Sequence, residues 1–97
     1  MTIHNHEAHK TALNFLRLAA EWRAIEADAL GEAKEIAESA FHFTEERYPH
    51  ELIEALQDAI KWLEKAEWAT DLARQYEAAA DDAMRDATAE PEEKQPA

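Results

Sequence analysis

Between Gly31 and Pro91 one residue alone is unable to continue an α-helix, and that residue is Pro49. A proline has no backbone N–H to donate and clashes with the preceding turn, so a helix cannot run through it. It also pushes the residue before it, here Tyr48, out of the helical region. The stretch Arg47-Tyr48-Pro49-His50 therefore separates two long helical patterns, and the chain is expected to fold back there.

The rest of the sequence leaves little else to build with. Alanine is abundant, valine is absent and there is a single glycine. Strands want β-branched residues and hairpins want turn residues, and both are scarce, so the class is all-α. One glycine also excludes phosphate-cradling loops and dinucleotide fingerprints, which need several. With no cysteine there is no disulfide frame, thiol nucleophile or thiolate metal site.

The first arm spans roughly 5–47. It carries an apolar stripe of Phe15, Leu18, Trp22, Ile25, Ala29, Ile36, Ala40 and Phe43 in steps of three and four. The stripe keeps its phase across Gly31, which favours one continuous helix. A glycine can instead end a helix, and a break at Gly31 would give a three-helix bundle. The second arm spans roughly 49–86, with Pro49 suited to the first helical position and Glu51 to the positive helix end. Its stripe runs Leu52, Ile53, Leu56, Ala59, Ile60, Leu63 and Ala66, then Ala69, Ala73, Tyr76, Ala80 and Met84. That set stays in line at 3.5 residues per turn, the period of a left-handed helix pairing. The alanines at 55, 59, 66, 69, 73 and 80 would let a neighbouring helix come close. Asp81, Asp82 and Asp86 place acid near a helix C-terminus, where the dipole disfavours it, so fraying is expected there. Residues 1–88 form one helical domain in this reading, and 89–97, acidic and twice interrupted by proline, a disordered tail.

Two arms of matching length make a long antiparallel hairpin. The first arm also has a second apolar side, Leu13, Leu16, Ala20, Ala24 and Ala27, and a helix apolar on two faces is normally covered on both. A second copy would cover it, giving a four-helix homodimer assigned to self-association through those residues.

Sites for chemistry are few. His4, His6 and His9 are the densest group of possible metal ligands, yet no complete ligand motif accompanies them. Glu38, His42, Glu46 and His50 stand four apart around the turn, the spacing of neighbours on a helix surface. His50-Glu51-Leu52-Ile53-Glu54 resembles half of a zinc-protease signature but has Glu where the second His is required. Ser39, the only serine, lies in a helical run with no elbow around it. No cofactor and no enzyme activity are expected.

Binding is the better supported class. Trp68 falls outside the second arm's stripe, with Leu72 one turn on and Lys61 and Lys65 beside it, and such patches mark partner sites. The formal charge is −12. Glu54, Asp58, Glu67, Asp71, Asp81 and Asp82 line the second arm with acid, so direct binding to nucleic acid or to anionic membranes is disfavoured. A surface of this kind can also imitate a phosphate backbone and block a nucleic-acid-binding protein. Against that, Lys61, Lys65, Arg74 and Arg85 are interleaved, and Asp81–Arg85 and Lys61–Glu64 have ion-pair spacing. The expectation is thus a cytoplasmic, acidic helical protein that self-associates and binds a further protein partner. Nucleic-acid mimicry and metal binding are its alternatives.

Overall fold

Helix α1 runs His6–His42 and helix α2 runs Pro49–Thr88, and the two pack as an antiparallel hairpin. The computed structural model describes residues 2–42 and 49–89, so Arg47, Tyr48 and the 90–97 tail lie outside the described residues. Pro49 is the first residue of α2, and Glu51 stands in its first turn. Helix α1 passes through Gly31 without interruption, and no described glycine has a positive φ. The break that would have made three helices is not there.

Both helix ends at the open side of the hairpin are tied. Asn5 caps α1 by accepting the Ala8 N–H on its Oδ1 at 3.1 Å, which satisfies one of the orphan donors of the first turn. The backbone N–H groups of His4 and Asn5 donate to the Ala87 carbonyl at 2.7 and 3.0 Å. That carbonyl belongs to the last turn of α2 and has no partner within its own helix. Helix α2 accordingly continues past the acidic residues Asp81, Asp82 and Asp86, where fraying was expected, and ends at Thr88. The Thr88 hydroxyl, 3.0 Å from the Met84 carbonyl, closes the final turn.

The chain divides into two compact units, each made from a stretch of both helices: Met1–Glu21 with Leu72–Ala97, and Trp22–Asp71. In the first, Ala12 and Ala19 of α1 and Ala73, Ala80 and Ala87 of α2 are buried. The Phe15 and Tyr76 rings meet at 6.0 Å. In the second, Ala29, Ala33, Ala40, Ala59, Ala66 and Ala69 are buried. The Trp22 and Trp68 rings meet edge to face at 5.0 Å, a preferred aromatic geometry.

Among the described residues every buried one is an alanine, and no large side chain is fully buried. The expected stripes hold at Ala29, Ala40, Ala59, Ala66, Ala69, Ala73 and Ala80, which are buried, and fail at Ile53, Ile60 and Leu63, which they placed inside and which are exposed. The physical reason is spacing. Ala59, Ala66, Ala73, Ala80 and Ala87 recur every seven residues, as do Ala12, Ala19, Ala33 and Ala40 apart from Glu26 in the middle. A seven-residue repeat holds one line along a helix pair, and a line of methyl groups lets the two backbones approach more closely than leucines would. The larger side chains are then displaced to the flanks. Glu26, which interrupts the line, lies close to the Thr70 hydroxyl of α2 and pairs with Arg23 at 3.2 Å.

Candidate interaction site

Large apolar side chains that a core would normally hold are open to solvent. Leu13, Leu16, Leu30, Phe41, Ile53, Ile60, Leu63 and Trp68 each keep 45–67% of their surface exposed. On α1 they fall on one stripe at the helix-pair period: 13, 16, 20, 23, 27, 30, 34, 37 and 41. Those positions hold Leu, Ala and Phe with two basic residues, Arg23 and Lys34. None of the chain's 22 acidic side chains occupies this stripe. In so acidic a chain that exclusion marks a face kept free of acid. The α2 stripe with the same offset from its seam is Ile53, Leu56, Ile60 and Leu63, after which it turns charged at Glu67.

Antiparallel helices are related by a local two-fold normal to the plane of the pair. Equivalent positions therefore lie on the same face. In the Trp22–Asp71 unit this sets Leu30, Ala37 and Phe41 of α1 beside Ile53, Leu56, Ile60 and Leu63 of α2, an apolar face interrupted by Lys34.

The opposite face of the same unit has the opposite character. A shallow cavity of about 250 Å³ is lined there by Glu32, Glu35, Ser39 and Glu51 around Ile36, Ala40, Leu52 and Ala55. A wider depression joins Ala27, Asp28, Gly31, Glu32 and Glu35 to Trp62 and Lys65, so Ala27 stands at the border of the two faces. Lys65 places its Nζ 4.9 Å from the Trp62 ring centre, within cation–π range.

Among the residues expected to self-associate, Leu13, Leu16 and Ala20 are exposed in the first unit and Ala24 and Ala27 in the second. The expected set missed the α2 half of the face, because Ile53, Ile60 and Leu63 were assigned to the interior. Their step of seven and three from one another, with Ile53 and Ile60 one residue and Leu63 four residues past the seven-residue line through Ala59, was the available signal. Of the expected partner site, Trp68 and Lys61 are exposed, yet the Trp68 ring rests on Trp22. Lys65 covers Trp62 instead of Trp68. Leu72 is half-buried and falls in the other unit.

The acidic residues Glu54, Asp58, Glu67, Asp71, Asp81 and Asp82 are all exposed, but their helical positions spread them over several faces. Arg85 pairs with Asp82 at 3.5 Å, and not with Asp81 as expected from spacing. Lys34 lies 3.9 Å from Glu38. Both pairs are exposed and of the kind that adds little stability. His4 and His6 are exposed and His9 is half-buried. Among the described residues no three His, Cys, Asp or Glu side chains come together as metal ligands. Glu46, Phe43 and the His42 side chain lie outside the described residues. No described helix is long and apolar enough to cross a membrane. Compared with known protein families, with curated proteins and with solved structures, the chain matches none.

Proposed function

We propose that this chain is a non-enzymatic interaction protein whose apolar hairpin face is covered by another helical surface, first of all by a second copy of itself. The observation that carries this reading is the pattern of burial: the buried residues are alanines, while Leu13, Leu16, Leu30, Ile53, Ile60 and Leu63 are exposed. A buried methyl contributes only ~0.8 kcal/mol, and a domain of this size rarely has stability to spare. Covering the exposed aliphatic residues is the largest stabilisation still open to the fold.

Area supports a second copy. The chain exposes 7424 Å², whereas a compact protein of its 11.1 kDa mass exposes about 5,700 Å². The surplus over all residues, those outside the described ones included, is about 1,700 Å², and half of it matches the ~800 Å² per partner of a standard interface. Two hairpins joined on this face form a four-helix bundle.

Sedimentation at several concentrations tests the proposal. The expected result is a dimer at tens of micromolar, and a monomer with helicity retained for the Ile60→Lys/Leu63→Lys variant. A wild-type monomer at that concentration, or a dimeric variant, refutes it. Because each copy carries −12, added salt should hold or strengthen the dimer.

The acidic face around Glu32, Glu35 and Glu51 favours one second reading, occupation of a basic groove by phosphate imitation. That interaction would weaken steeply as salt rises. The two readings therefore respond to salt in opposite directions.

A further inference from the structure

We infer, resting on the second-copy reading above, that the two-fold axis of the dimer runs along the helices, so that α1 of one copy lies across from α2 of the other and both Pro49 ends point the same way. Two symmetric ways exist to lay one such face on another. With the axis across the helices, α1 meets α1 and α2 meets α2. With the axis along them, each α1 meets the other copy's α2.

The order of residues on the Trp22–Asp71 unit separates the two. The α1 stripe is apolar with basic interruptions at Arg23 and Lys34 and no acid. The α2 stripe is apolar from Ile53 to Leu63 and then acidic at Glu67. Laying α1 on α1 about the middle of its 27–41 stretch brings Lys34 onto Lys34, a like-charge contact at the symmetry axis. Laying α1 on α2 avoids it.

Residue levels within one chain show what cross-pairing would match. Trp22 is level with Trp68, and Ile36 and Ala40 share a cavity with Leu52 and Ala55. An axis along the helices leaves every level unchanged. Leu30 then faces Ile60 and Leu63 of the second copy, and Phe41 faces Ile53. Arg23 stands level with Glu67 of opposite charge. Apolar residues meet apolar ones except at Lys34, which falls level with Leu56 and Ile60, and no like charges are opposed.

The absence of cysteine makes a spin-label test direct. Gln57, Glu64 and Asp71 are exposed and seven residues apart, on one outward line of α2. Single Gln57→Cys, Glu64→Cys and Asp71→Cys proteins, each nitroxide-labelled, are measured by pulsed dipolar spectroscopy, with mass determined on the same samples. An axis along the helices gives three inter-copy distances that agree, since only the bundle width sets them. An axis across the helices changes the axial separation by roughly 21 Å from one site to the next, at ~1.5 Å per residue. Three unequal distances in a dimeric sample overturn the orientation and leave self-association standing. A monomeric mass with no dipolar signal overturns both.

Discussion

Replacing Gly31 with alanine tests the fold through the sign of one free-energy change. Gly31 lies well inside α1 with an ordinary negative φ, and a Cβ built on it meets no heavy atom within 4 Å. The methyl group therefore neither clashes nor packs. What remains is backbone entropy: glycine in a helix interior costs about 1 kcal/mol relative to alanine. Gly31→Ala should stabilise each chain by that amount, or raise Tm by roughly 4–8 °C for a domain of this size. Urea unfolding followed by far-UV circular dichroism reads it. Were Gly31 instead the end of a short helix with a positive φ, alanine would be strained there and stability would fall. A loss would refute the continuous α1. Gly31 also lies beside Asp28, Glu35 and Lys65 on the acidic side, so the dimer's mass should not change. Dissociation by this one methyl would place the second copy on the wrong face.

Other substitutions follow the same pattern of burial. Ala69→Leu adds a side chain at a fully buried seam position and should cost 1–3 kcal/mol or more, as overpacking does, read in urea. Leu63→Ala, about half exposed, should leave helicity intact while removing about 1 kcal/mol per copy from the interface. Over two copies that weakens the dimer about 30-fold, measurable by sedimentation. Thr70→Val removes the hydroxyl beside the Glu26 carboxylate and should cost about 1–2 kcal/mol. Glu26→Ala should cost less, because it completes the α1 alanine line and leaves the Thr70 hydroxyl its contact with the Ala66 carbonyl. Asn5→Ala should lose about 1 kcal/mol through the missing cap, with fraying at the first turn of α1 seen in amide exchange.

The helices, the start of α2 at Pro49 and the hairpin were legible because they depend on local chemistry. Proline acts on its own turn and on the residue before it, and helix propensity sums along a segment. The seam was half legible. The α2 alanines announce close approach by their number alone. On α1 the same repeat is hidden by Glu26 and overshadowed by Phe15, Trp22 and Ile25, whose size draws any reading based on hydrophobicity. Size misleads at Ile53, Ile60 and Leu63, because inward direction is set by how near the two backbones can come. The pairing of Trp22 with Trp68 was not legible either. It depends on the level at which one helix passes the other, and residues 43–48 between the helices carry no pattern that sets that level.

The two peculiarities of the chain, its acidity and its alanine seam, then have one explanation. Close-packed alanines leave no room between the helices for leucine or isoleucine, so those side chains must leave the seam by one flank or the other. In the Trp22–Asp71 unit Leu30, Ile53, Ile60 and Leu63 leave on the flank where α1 bears no acid, while Ile36 and Leu52 lie on the opposite flank, where Asp28, Glu32, Glu35 and Glu51 gather. An apolar face with acid mixed into it would pay a desolvation penalty on every contact. Sorting the charge to one side removes that penalty and leaves like-charge repulsion to oppose any copy that approaches the wrong way. The net charge, on this argument, does more than keep the chain dispersed. It would restrict the proposed association to one face, and on that face the positions of Lys34 and Glu67 would restrict it to one orientation.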